Sequence, residues 1–238
     1  MTEMEYSNVM YRIALVVLPL VLAVSAHEAA HGFVADKLGD STARLLGRVT
    51  LNPLPHIDLF GTVIFPLLLI LTNTGVIFAY AKPVPVQYSN LRNLRQDMVL
   101  VSFAGPLTNL SLALLSGILV RVLLLLMPEV AYYATAGGNL LEQGGGVVSV
   151  LVPVYLVLEQ SVLINVVLAV FNCIPIPPLD GGHMLMGMVS GRAAALLQRI
   201  EPYGFFIILG LVIVDPFGLW SRSVSIVMME LIRLCMFL

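Results

Sequence analysis

The chain has 238 residues, of which 59% are hydrophobic and 11% charged, with 12 Lys and Arg against 14 Asp and Glu. A soluble domain carries about 25% charged residues, so this chain lacks the polar surface to cover itself in water and reads as an integral membrane protein. The same figures exclude a disordered chain, a basic nucleic-acid binder and, with only two cysteines, a disulfide scaffold.

Apolar runs that predict membrane segments lie at about 11–38, 59–80, 97–127, 147–172 and 203–238, the last interrupted by Asp215-Pro216-Phe217-Gly218. Spanning takes about 20 apolar residues at 1.5 Å each. The expected fold is an all-α polytopic bundle of five or six membrane segments in one domain over 1–238, with a core over about 11–190 and a C-terminal membrane hairpin over about 203–238. The first run lacks a basic leader and a small-residue cleavage site, so it is expected to remain as a helix.

Short strands near the cytoplasmic face are expected at 43–51 and 76–86. The second expectation rests on Val76-Ile77-Phe78-Ala79-Tyr80, which is rich in strand formers and leads into Lys82-Pro83-Val84-Pro85. Pro66 and the turn residues Thr72-Asn73-Thr74-Gly75 interrupt 59–80, which predicts a re-entrant element rather than a span.

Charge in the connections supports that topology. Residues 37–58 hold Lys37, Arg44 and Arg48, residues 81–95 hold Lys82, Arg92 and Arg95, and residues 128–146 hold no Lys or Arg. The positive-inside rule places the first two in the cytoplasm and the third outside, with the N-terminus outside. A full span at 59–80 would separate the first two.

The chemistry lies in His27-Glu28-Ala29-Ala30-His31. One helical turn puts both imidazoles on one face, where they can bind a single zinc ion, and Glu28 stands beside them to take a proton from an activated water. Burying two His and a Glu on an apolar helix costs several kcal/mol unless they have a partner.

A catalytic zinc needs three protein ligands and an open position. The candidate third ligand is Asp180, presented after Pro175, Pro177 and Pro178 have ended the preceding helix, with Gly181 and Gly182 permitting close backbone approach. With 59–80 re-entrant, Asp180 and His31 reach the same cytoplasmic side at similar depth. His183 is the runner-up ligand, and His56, in the loop before the re-entrant element, is expected to be structural or interfacial.

His27-Glu28-Ala29-Ala30-His31, Asn172 through Gly182 in the pattern N-x-x-P-x-P-P-L-D-G-G, Ala79 through Pro85, and Gly105-Pro106-Leu107-Thr108-Asn109 together resemble the site-2 protease family of intramembrane zinc metalloproteases. The match runs over about residues 20–190, with the motifs in order. The resemblance implies one zinc per chain on His27, His31 and Asp180, Glu28 as general base, and hydrolysis of peptide bonds in or near the transmembrane segments of partner proteins within the lipid bilayer. It also implies a minimal form without a PDZ or CBS domain, and an approach of Asn109 and Asn172 to substrate or oxyanion.

Read from the residues alone, Asn109 is equally a helix-to-helix hydrogen-bond donor and Asn172 equally a helix cap. The rival class is a membrane metal-binding protein or transporter without proteolysis. Such a protein has no need of Glu28.

Overall fold

The computed structural model describes residues 3–64, 82–136, 145–214 and 218–237. The helices are α1 (Glu3–Leu38), α2 (Thr42–Leu45), α3 (Leu94–Leu126), α4 (Glu129–Ala136), α5 (Gly145–Asn172), α6 (Asp180–Met188), α7 (Arg192–Ile200), α8 (Gly204–Val214) and α9 (Leu219–Met236). Four stretches are long and apolar enough to cross a membrane: Ile13–Leu38, Leu94–Leu126, Gly146–Asn172 and Arg192–Leu211. The fourth runs from α7 into α8 through a tight turn at Glu201–Tyr203. The chain is therefore a multi-pass membrane protein, and the regular elements among its described residues are all helical. Most of the re-entrant element expected at 59–80 and of the strand expected at 76–86 lies outside the described residues, which place a wide helical turn at Leu59–Ile64 and irregular chain at 82–87.

No strand occurs among the described residues, so the one expected at 43–51 is corrected. Residues Thr42–Leu45 form a helical turn instead. Gly47, at φ +67°, adopts the left-handed conformation that closes such a turn. Its N–H donates to the Arg44 carbonyl at 3.0 Å and the Arg48 N–H to the Ala43 carbonyl at 2.9 Å. These are the paired bonds of a glycine-terminated helix end, and they override the strand propensity of Val49 and Leu51.

The helices divide into two units, Met1–Ala23 with Asn109–Asn172 and Phe205–Leu238, and Val24–Thr108 with Cys173–Gly204. In the first, Val120, Val130, Val148, Val152 and Tyr155 form one buried cluster and Ala113, Val162, Val166 and Cys235 another. A β-carbon at Gly117 would overlap the Cys235 carbonyl, so glycine lets α3 and α9 approach closely. Polar contacts tie α3 to α5. Asn109 Nδ2 donates to Asn165 Oδ1 at 2.8 Å, Asn165 Nδ2 to the Ser161 carbonyl at 2.9 Å, and the Ser116 and Ser161 hydroxyls meet at 2.9 Å. Arg121 and Glu159 do not pair: Glu159 accepts the Tyr155 hydroxyl at 2.9 Å and Arg121 is exposed.

The second unit is built around the end of α1. Ala35, Leu91 and Val101 form its buried apolar cluster. Gly39, at φ +119°, turns the chain out of α1, and the freed Leu38 carbonyl accepts the Arg92 N–H at 3.1 Å. Asp40 then anchors two loops. Its fully buried carboxylate accepts the Thr42 hydroxyl, the Gln87 N–H at 2.7 Å and the Asn90 amide at 3.0 Å.

Burial would raise the Asp40 pKa, but these donors outweigh it and hold the carboxyl below its ordinary value. Its stabilising contribution is therefore complete above the unfolded value of about 3.9 and is lost as pH falls through the lower folded value. Asp40→Ala should cost about 2 to 4 kcal/mol near neutral pH, because it leaves buried donors unpaired. The gap in melting temperature between variant and wild type should narrow as pH drops below about 4. A gap independent of pH would contradict the assignment.

Candidate metal centre

The first helix runs unbroken to Leu38, so His27 and His31, one turn apart, project together from one face. His27 is 7% exposed and His31 8%, depths at which an imidazole needs a partner. Their Nε2 atoms lie 3.0 Å apart. His31 Nδ1–H donates to the Val101 carbonyl of α3 at 2.7 Å, which fixes the ring and leaves a lone pair on Nε2 in the neutral form.

Asp180 arrives from the second half of the chain. Its Oδ2 lies 3.1 Å from His27 Nε2 and its Oδ1 lies 3.3 Å from His31 Nε2. The residue opens α6, after an extended Leu179 that follows the prolines. A β-carbon at Gly182 would fall 2.6 Å from the Pro177 Cα, and one at Gly181 would overlap the Cys173 and Ile174 carbonyls. Only glycine lets the chain fold back so closely on the start of α6, as the sequence predicts. The far end of α6 is held by Arg95, which donates to the Met188 and Val189 carbonyls at 3.0 and 2.6 Å.

Burial alone would raise the Asp180 pKa. Contact with the His27 and His31 imidazoles outweighs it and holds the carboxyl well below the usual carboxylate range. That favours the carboxylate form, the one in which an aspartate can ligate a metal.

These residues fit zinc. Three ligands at about 2.0 to 2.1 Å from a tetrahedral zinc stand about 3.3 Å from one another, and the closest ligand pairs here lie 3.0, 3.1 and 3.3 Å apart. Asp180 Oδ2 is buried with no hydrogen-bond donor in good geometry, which suits an oxygen reserved for a cation. Among the described residues, these three side chains are the one group of His, Cys, Asp or Glu placed so that it could hold a metal ion.

A space beside them is kept open by Gly105 of α3. A β-carbon at that position would fall 2.6 Å from His27 Nε2 and overlap His31 Nε2.

Glu28 is held separately. Its Oε2 accepts the Val84 N–H at 2.6 Å, leaving Oε1 for other chemistry. The Lys82-Pro83-Val84-Pro85 segment brings this donor, and Lys82 N–H fixes the segment's start on the His56 carbonyl at 2.9 Å.

The remaining candidates make the following contacts. His56 donates to the Thr50 carbonyl at 3.0 Å, the structural role expected of it. His183 pairs with Glu201 at 3.2 Å and does not join the metal group. Asn109 and Asn172 belong to the other unit. Asn109 Nδ2 donates to the Ala23 carbonyl at 3.3 Å as well as to Asn165, and Asn172 Nδ2 to Leu168 at 2.9 Å in the last turn of α5. Sequence reasoning passed over the Val84 N–H, the Val101 carbonyl and the space at Gly105. The first had a signal, since two flanking prolines leave Val84 as the single donor in its stretch.

Comparison with known proteins gives the chain's family. Residues 15–214 match the family model of peptidase family M50. A Bacillus subtilis protein named "Putative zinc metalloprotease YwhC" is 36% identical over 204 residues, 85% of this chain and 81% of the relative. A Mycolicibacterium smegmatis protein named "Putative zinc metalloprotease Rip2" is 27% identical over 210 residues, 87% of this chain and 69% of the relative. No solved structure matches the chain.

Proposed function

Because the chain belongs to peptidase family M50, the site-2 type of zinc metalloprotease, we propose that it cuts peptide bonds in or beside the transmembrane segments of other membrane proteins. The observation that carries this reading is the convergence of His27, His31 and Asp180 at zinc-ligand spacing, with Glu28 adjacent, in a chain with four helices able to cross a membrane. A transporter needs no carboxylate held beside the first ligand.

Bound by His27, His31 and Asp180, zinc supplies Lewis-acid activation of the scissile carbonyl and of the attacking water. Glu28 then works as the general base. Its Oε1 takes the proton from the attacking water and returns it to the departing amine, while the Val84 N–H keeps Oε2 in place. The Val101 carbonyl keeps His31 in the tautomer that ligates. Asn109 and Asn172, their amide nitrogens committed to backbone and to Asn165, serve the helix scaffold in this reading.

A substrate helix hides its carbonyls in its own hydrogen bonds, so local unwinding precedes attack. Water reaches the site from the cytoplasm, with the N-terminus outside. Lys37, Arg44, Arg48, Lys82, Arg92 and Arg95 flank the site's elements and support that orientation.

The test uses the protein purified in detergent. One zinc per chain is expected, with cleavage of a single-span peptide inside or next to its apolar segment. Removal of zinc by a chelator should abolish cleavage and zinc should restore it. Cleavage confined to unstructured soluble peptides would overturn the intramembrane reading.

A further inference from the structure

Arg48 is an unusual charge in so apolar a chain. It is 9% exposed, and no acidic residue pairs with it among the described residues. Its Nη2 donates to the Lys82 carbonyl at 2.8 Å and the Pro83 carbonyl at 3.2 Å, while its Nε–H is buried without an acceptor. A cation buried at that cost for two backbone carbonyls is holding something in place. The next residue along is Val84, whose N–H meets Glu28 Oε2 at 2.6 Å.

The composition of the segment sharpens the point. Pro83 and Pro85 have no N–H, so Val84 carries the one backbone donor across 83–85 and no neighbour can take its place. Val84 is buried, and a β-carbon at Gly32 would lie 3.1 Å from Val84 Cγ1 and 3.0 Å from Val49 Cγ2. The absence of a side chain at Gly32 thus lets Val84, and Val49 beside Arg48, pack closely on α1.

We propose that Arg48 is a positioning residue for the catalytic base: by clamping the Lys82 and Pro83 carbonyls it fixes the Val84 N–H, which in turn fixes Glu28. This rests on Glu28 acting as the base. One of its readouts is independent of proteolysis.

The experiment compares the full chain with Arg48→Met, which removes the donors while filling most of the volume, and Arg48→Lys, which keeps a cation able to reach the same carbonyls. Hydrogen exchange is read on peptides covering 83–85, where the single exchanging amide is Val84. Arg48→Met should speed that exchange at least tenfold, and Arg48→Lys should leave it near the wild-type rate. Bound zinc should stay at the wild-type level in both. With a single-span peptide, Arg48→Met should lower kcat about 10- to 100-fold at little change in KM, the signature of a contact used in the transition state, and Arg48→Lys should recover most of it.

Unchanged Val84 exchange in Arg48→Met would overturn the proposal. So would loss of zinc, or a rise in KM at constant kcat. If the wild type binds zinc but cleaves no peptide, the proteolytic reading fails, and Val84 exchange still decides whether Arg48 holds that amide.

Discussion

Glu28→Gln should lower cleavage of a single-span peptide by roughly 100- to 10,000-fold, the range for loss of a general base, while bound zinc stays near one per chain. Gln keeps an oxygen for the Val84 N–H, so the segment at 82–84 should hold its place. What it loses is the carboxylate lone pair that accepts the water's proton. Asp180→Ala should instead remove both. It removes the anion that stands 3.1 and 3.3 Å from the two Nε2 atoms and leaves a two-ligand pair, so zinc and cleavage should fall together. Metal analysis beside kinetics on both variants checks this. Undiminished cleavage by Glu28→Gln would sink the mechanism, and wild-type zinc in Asp180→Ala would remove Asp180 from the ligand set.

The half of the site that depends on local spacing was legible in the sequence. His27, Glu28 and His31 need only one turn of helix to form their face, and α1 supplies it. Asp180 required counting crossings, yet its prolines and glycines marked the break at which a ligand could be presented. The failures arose where a few backbone bonds outweighed propensity. Val49 and Leu51 favour a strand, but Gly47 closes a helical turn just before them and the chain leaves it as irregular loop. Arg48 read as one more positive-inside residue, because nothing local shows that its guanidinium reaches carbonyls 34 and 35 residues away.

Gly105 gives the other large effect, and it can be argued from geometry alone. Zinc sits about 2.0 to 2.1 Å from a histidine nitrogen. A methyl group on Gly105 would stand 2.6 Å from His27 Nε2 and nearer still to His31 Nε2, so it would compete for the space in which those nitrogens meet a metal. Relief by movement is restricted. The α3 backbone is tied to the same ring through the 2.7 Å bond from His31 Nδ1 to the Val101 carbonyl, and Val101 itself is buried in the apolar cluster. Turning the imidazoles away would break that bond and their contact with Asp180.

Gly105→Ala should therefore cut bound zinc to about a tenth or less of the wild-type amount, and cleavage should fall in proportion. Because a bound metal stabilises the folded state by mass action, chelation should lower the melting temperature of the wild type and leave that of Gly105→Ala unchanged. Gly210→Ala is the control: its β-carbon meets nothing within 4 Å, so the substitution should keep zinc and add only helix propensity. Full zinc occupancy in Gly105→Ala would mean that the metal is held away from the α3 face, and the ligand geometry drawn from these three side chains would have to be abandoned.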